Sequence, residues 1–446
     1  MPWPPLEADP AASLGGDGFS TSLEECCGIM RSKRVCPVRG FLMESDPLTK
    51  FHHGHYRKWE SLASALPDLL SCGKTRTAIE QLEVLPIDYL SSHGELRLAY
   101  LLLSTLANAY IWCEPEHPAT IVPRGLAVPL CKVSDRLGMA PVLVHASIVL
   151  YNWRRLDPQG PVNTSNITTS VDILGGRDEK WFFLLTVELE AEGAKGLLPC
   201  LEAQSSALRL VRMLEEGIAT DDDDLIREEC HHLCECLSLV CHAIEDMSSA
   251  LSRMSEKCMP AIFYERVRPF LSGSKGNPSL PNGVVYDGCF ENEPQRFSGG
   301  SAAQSSLLPV YDALLCVNTK DSAFLNEMKA RYMPREHSEF IDIVRARNAL
   351  LGAAGLRGVI MGQGCSGEAR DIFDRCVHAL AEFRTAHLAI VARYIIAPQN
   401  QKMKRSNRSL SDAAGGKGTG GTALMQFLKP IRNATLAAKT SSLSAT

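Results

Sequence analysis

Apolar positions along this chain recur at steps of three and four rather than two, which predicts helices and few strands. The clearest case is Leu233, Leu237, Val240, Ile244, Met247, Leu251 and Met254, one continuous apolar stripe over about six turns. Ahead of it, Thr220 followed by four aspartates supplies a capping hydroxyl and acidic residues suited to the positive end of a helix dipole. The same periodicity predicts helices over 56–70, 75–85, 96–112, 128–137, 142–153, 181–195, 305–317, 323–332, 338–351 and 368–396. Gly138 and Pro141 break the chain between two of these. The longest apolar run, 96–112, is interrupted by Ser104, Thr105 and Asn108 and falls short of the ~20 residues a membrane span requires, so it reads as a buried helix. No internal repeat is present, and the predicted class is all-α.

Composition shifts divide the chain. Residues 1–50 open MPWPPLEADP and continue through Gly, Ser and acidic residues, which reads as a largely disordered or irregular leader. It lacks the basic start, apolar run and small-residue cleavage site of a signal peptide. Residues 51–156 form a small helical domain, 157–176 a linker rich in Pro, Gly, Asn, Ser and Thr, and 177–398 a large helical domain. Residues 399–446 form a Gly-rich lid loop and polar tail with one amphipathic piece near Leu424 to Leu428. A hydrophobic content of 45% with 22% charged residues lets most of the chain bury a core. The net charge of −5 offers nothing to nucleic acid, and the short basic cluster from Lys402 to Arg408 reads as a solvated loop. Sixteen scattered cysteines without secreted-domain spacing point to free thiols in a reducing, cytoplasmic setting.

His387 lies inside an apolar stripe with Phe373, Cys376, Leu380, Phe383, Ile390, Val391 and Tyr394. Periodicity alone makes a satisfied core histidine the commoner reading. The alternative is an axial haem ligand, which needs an apolar slot that excludes water. Arg384, one turn earlier, suits a haem propionate or a surface carboxylate. The Gly-Thr-Gly-Gly-Thr block at 418–422 is a flexible linker or a lid over a ligand; Lys417 is followed by glycine, so it is no phosphate loop. The small residues between Arg296 and Ser306 permit close backbone approach and read as a loop and capped helix start. Cys230, His231, His232, Cys234 and Cys236 could suggest a metal pair, but one helix seldom offers four converging ligands, so they read as interior or exposed thiols and a surface histidine. No Ser-His-Asp, HExxH or GxGxxG signature supports another enzyme class.

Seven segments occur together in order: AVPLCKVSDRLGMAPVLVHASIVLYNW, WFFLLTVELEAEGA, FLSGSKGNP, VYDG, FSGGSAAQSS, FRTAHLAIVARYI and GKGTGGTALMQFLK. With them the chain resembles the indoleamine 2,3-dioxygenases from about Pro123 to its tail. The resemblance implies a small helical domain packed on a large one with b-type haem between them. It implies His387 as proximal iron ligand, Arg384 near a propionate, and Gly300, Ser301 and Ala302 as a small-residue wall beside the haem. Phe182, Phe183 and Phe263 would line the indole pocket. Arg268 would pair with the substrate carboxylate, with Leu271 following it on the same face, and Thr422 would be the lid residue contacting the substrate's ammonium or carboxylate. Three positions depart from the common pattern: Thr186 stands where serine is frequent, His145 where tyrosine is, and Ile148 where cysteine can occur. These and Val149 are expected at the distal cavity, where His145 could hydrogen-bond O2 or compete for the sixth iron position. Ser274 replaces a tryptophan of some relatives. The implied reaction inserts O2 across the indole C2=C3 bond of tryptophan or a related indoleamine to give N-formylkynurenine, the first step of the kynurenine route toward NAD. The implied state is a monomer without nucleic-acid or membrane partners. Two other readings stay open: a haem-binding relative with little turnover that senses haem or gas, and a cofactor-free helical scaffold.

Overall fold

The computed structural model describes residues 22–215, 223–319, 322–362, 365, 367–405, 418–419 and 424–440. Helices dominate, and the strands among the described residues form two short ladders. Ile121–Val122 (β1) pairs in parallel with Val285–Tyr286 (β4), and Arg154–Arg155 (β2) pairs antiparallel with Ile167–Thr168 (β3).

The expected irregular leader is folded from Ser22 onward. Helix α1 (Leu23–Ser32) starts on a full capping box between Ser22 and Glu25, satisfying amides that a helix start otherwise leaves open. Its buried Cys26 lies 3.6 Å from Ser205. Further on, Asp46 accepts from Arg155 Nε at 2.9 and 3.0 Å and from Arg39 at 3.1 Å. Burial opposes ionisation of that carboxyl, yet the two arginines hold its pKa below the usual carboxylate value.

Helix α2 (His93–Trp112) is buried along nearly its whole length. Two of the polar residues that interrupt its apolar run, Ser104 and Asn108, are internal ties. Ser104 donates to Ser147 (3.1 Å), Asn108 to the Phe270 carbonyl (2.9 Å) and, one turn on, Trp112 to the Ser272 carbonyl (2.8 Å). Helix α3 (Arg124–Leu137) stops at Gly138, whose φ of 68° ends it in the left-handed conformation. The helix expected over 142–153 is instead a single wide π-turn, Ala146–Leu150, and the one over 56–70 is broken at Ala65 ahead of Pro67. The 157–176 segment is pinned rather than loose: Asn152 donates to Val171 and accepts the amides of Ser170 and Val171.

The C-terminal helices gather around α6 (Asp223–Ser252), which packs on α4 (Arg177–Ala194), α5 (Leu197–Glu215) and α10 (Gly367–Val391). Its predicted stripe is the buried face: Leu233, Leu237, Val240, Ile244 and Met247 are all fully inaccessible. The predicted Thr220 cap lies outside the described residues. Helix α5 was not expected from periodicity. Helices α7 (Leu307–Leu314), α8 (Ala323–Tyr332) and α9 (Arg335–Leu350) follow, and the tail returns as α11 (Leu424–Leu436) against α10.

Candidate active site

A cavity of three lobes opens around His387, with volumes of about 770, 830 and 880 Å³. His387 and Ala302 line all three. The walls come from sequence-distant elements, and three of them are π-turns: Ala146–Leu150, Phe263–Val267 and Ala392–Ile396. Such turns insert an extra residue into a helix and are frequent at functional sites. Here they present Ile148 and Val149, Phe263, and Tyr394 and Ile395 to the cavity.

The His387 imidazole is half-buried and makes no hydrogen bond to a described residue. Burial, with the Arg384 charge adding to it, lowers its pKa to about 4. The ring is therefore neutral near pH 7 and keeps a lone pair for a metal. Among the described residues no group of three His, Cys, Asp or Glu side chains could hold an ion. One neutral imidazole in a largely apolar cavity of this size suits an iron that brings its own equatorial nitrogens, which is the chemistry of haem.

The 880 Å³ lobe is bounded by Phe182, Thr186, His145, Ile148, Val149, Leu271 and Gly300 to Ala302. Thr186 turns its hydroxyl back to the Phe182 carbonyl at 2.7 Å. The His145 ring is clamped: Nε2 lies 2.8 Å from Glu190 Oε1, which also accepts from Ser305 at 2.6 Å. Its backbone N–H donates to Gln304 (2.9 Å). A role for His145 as a sixth iron ligand through Nε2 would break this buried contact.

The 830 Å³ lobe holds Phe263, Arg268, Leu271 and Tyr394. The Phe182 and Phe263 rings meet with centroids 4.5 Å apart. Arg268 lies over the Tyr264 ring at 5.4 Å, and burial pulls its pKa down. Phe183 is not brought to the cavity; it is buried behind Phe182, with ring centroids 5.9 Å apart. Thr422 lies outside the described residues. Thr419, in the same glycine-rich block, straps the wall instead: its carbonyl accepts the amides of Gly273 (3.4 Å) and Gly299 (3.2 Å), and its hydroxyl donates to the Gly300 carbonyl. Beneath the strap the 271–273 backbone crosses Gly299 so closely that glycine is required, since a Cβ there would stand 2.1 Å from the Leu271 carbonyl oxygen.

The 770 Å³ lobe has Leu308, Pro309, Met333, Leu428 and Ile431 on its walls and Asp312, Lys329, Arg345 and Arg384 at one side. Arg384 grips both Asp312 oxygens at 2.8 Å and donates to Thr435.

The family model for indoleamine 2,3-dioxygenase matches residues 31–438. The chain belongs to the indoleamine 2,3-dioxygenase family. Its relatives include indoleamine 2,3-dioxygenase 2 of Mus musculus, 36% identical over 90% of this chain and 92% of the relative. The indoleamine 2,3-dioxygenase of Saccharomyces cerevisiae is 35% identical with the same coverages. A 6-hydroxytryptophan 2,3-dioxygenase of Fusarium equiseti is 33% identical over 90% of this chain and 95% of that protein.

Glu190, Ser305 and Thr419, which line the cavity around His387, escaped sequence reasoning. Phe182, Thr186 and Glu190 follow one another at steps of four, so the acidic member of that stripe was readable as facing the same cavity. Ser305 and Thr419 carried no such signal. The cysteine cluster is not part of the site: Cys230, Cys234 and Cys236 are buried, and His231 and His232 point to Glu235. No helix among the described residues is long and apolar enough to cross a membrane.

Proposed function

We propose that this chain is a haem-dependent dioxygenase that opens the indole ring of tryptophan or a related indoleamine with O2, giving N-formylkynurenine at the head of the kynurenine route toward NAD. The reading includes a monomer at work in the cytoplasm, with haem between a small helical domain (51–156) and a large one (177–398). The observation that carries it is His387: a neutral imidazole without a hydrogen bond to a described residue, at the junction of three lobes, in a chain of this family.

Haem, when bound, would supply the redox-active iron for chemistry with O2. The protein's share is orientation and exclusion of water. His387 would hold the iron, and the wall of Gly300, Ser301 and Ala302 would admit a flat macrocycle because it carries so little side chain. Phe182 and Phe263 form an aromatic corner for the indole ring. Arg268 offers the planar fork that a substrate carboxylate fits, which lysine would not reproduce. Thr419, from the glycine-rich block, straps the Gly300 wall of this lobe, and the role expected for Thr422 at the substrate stays a proposal of the resemblance. His145 Nε2 is held by Glu190 and the Thr186 hydroxyl is turned to its own helix, so neither of these groups is directed into the cavity. A relative named for 6-hydroxytryptophan makes ring-hydroxylated tryptophans part of the substrate class to be tested.

The test is spectroscopic and chemical. Purified protein reconstituted with haem develops a Soret band, His387→Ala loses it, and wild type forms N-formylkynurenine from tryptophan under ascorbate and a redox mediator. A protein that stays colourless rejects the assignment. A coloured protein without product favours the sensor.

A further inference from the structure

We infer that Arg345, flanked by Lys329, is the cation that receives the carboxylate edge of the cofactor; this rests on the haem reading above and refines it. The resemblance points to Arg384 for that task. In the fold, however, the Arg384 fork is spent on both Asp312 oxygens at 2.8 Å and on Thr435, and its side chain is only 8% exposed. Lys329, from α8, closes on both oxygens of Asp342 in α9. Arg345 follows Asp342 by three residues on α9 but approaches it no closer than 3.7 Å, beyond hydrogen-bond length. Three cations and one carboxylate, Asp312, thus line a lobe that also has Leu308, Pro309, Met333 and Leu428 on its walls, and the second carboxylate of the network, Asp342, pairs with Lys329 without lining the lobe. The least engaged charge is the Arg345 guanidinium, whose side chain is 29% exposed.

An amphipathic slot of this kind selects an amphipathic ligand. Apolar walls take the face of a macrocycle, and the surplus positive charge takes an anion at its rim. Iron protoporphyrin has that distribution, with an apolar body and two propionates on one edge. A guanidinium meets a carboxylate with two parallel N–H donors. Partial exposure at Arg345 also leaves the ionised edge in contact with water, so its charge is not buried.

The experiment titrates haemin and haemin dimethyl ester, whose propionates are capped, into the full-length chain and follows the Soret band. Wild type, Arg345→Met and Arg345→Lys are compared. Arg345→Met should weaken haemin binding about tenfold, one charge-assisted contact, while the ester binds wild type and Arg345→Met alike. Arg345→Lys should recover part of the haemin affinity. Equal haemin affinity in wild type and Arg345→Met overturns the inference, and so does an equal loss for haemin and ester, which would mark a packing role. Wild type that takes up neither porphyrin overturns the haem reading itself, and the Arg345 assignment with it.

Discussion

Replacing Asp312 by alanine tests how the wall of the cavity is held. Asp312 on α7 and Arg384 on α10 form a two-bond pair with side chains 5% and 8% exposed. Burial pushes the Asp312 carboxyl up, and Arg384 pulls against that push. Removing the carboxylate leaves a guanidinium inside the wall with only the Thr435 hydroxyl in place. Breaking a buried pair in this way costs about 3–5 kcal/mol, most of it from the charge left without a partner. At roughly 2–4 °C per kcal/mol, the range for a unit the size of the proposed 177–398 domain, the melting temperature should fall by about 6 to 20 °C. The double variant Asp312→Leu with Arg384→Met removes both charges at similar volume and should regain most of the loss. Thermal unfolding followed by far-ultraviolet circular dichroism, on protein without added haem, separates this effect from cofactor binding. An Asp312→Ala protein that melts with wild type, or a double variant less stable than the single one, would refute the reasoning.

Two further outcomes are expected. Arg268→Ala should weaken tryptophan binding to the haem-loaded protein by roughly ten- to a hundred-fold, about 1.5–3 kcal/mol, and leave indole, which has no carboxylate, unchanged; a parallel loss for both ligands would place Arg268 elsewhere in the chemistry. For Glu95, burial opposes ionisation, but hydrogen bonds from Ser91 and His52 bring its pKa from 4.5 down to about 2. The stabilisation it gives is therefore present above pH 4.5 and is lost as pH falls toward 2, so Glu95→Gln should flatten the acid side of a melting-temperature profile.

The long helices were legible because one physical signal dominates them. The stripe from Leu233 to Met254 can be buried in only one orientation, and α6 buries it against three neighbours. The range 323–332 was recovered to the residue, since Ser322 caps it and Pro334 follows closely. Helix α5 was missed because its buried face mixes Gln204, Ser205 and Ser206 with leucine and alanine, so apolar spacing alone does not mark it. Its polar groups are answered from far along the chain: Gln204 donates to the Val344 carbonyl and Ser205 accepts from Arg347. The α1 start was missed for a different reason. Its capping box at Ser22 and Glu25 is a local signal, outweighed by a leader read as a block on composition.

At the site, residue types were readable and their company was not. His387 among apolar neighbours announces a slot, yet nothing in α10 says that the slot is closed by Ala302 on one side and by Leu428 on another. The π-turns explain why. In each, the helical register slips by one residue, so periodicity extrapolated across it aims the next side chains wrongly. His145 shows the consequence. Read on an ideal helix over 142–153, it is one more inward residue with a free imidazole. In the fold it stands at the entrance to the Ala146–Leu150 turn, where Gln304 takes its amide and Glu190 takes its ring. The polar partners come from α4 and from the loop before α7, 45 and 159 residues away in sequence. A histidine held in this way is part of the cavity wall, and the orientation of its ring is set by Glu190 as much as by its own position.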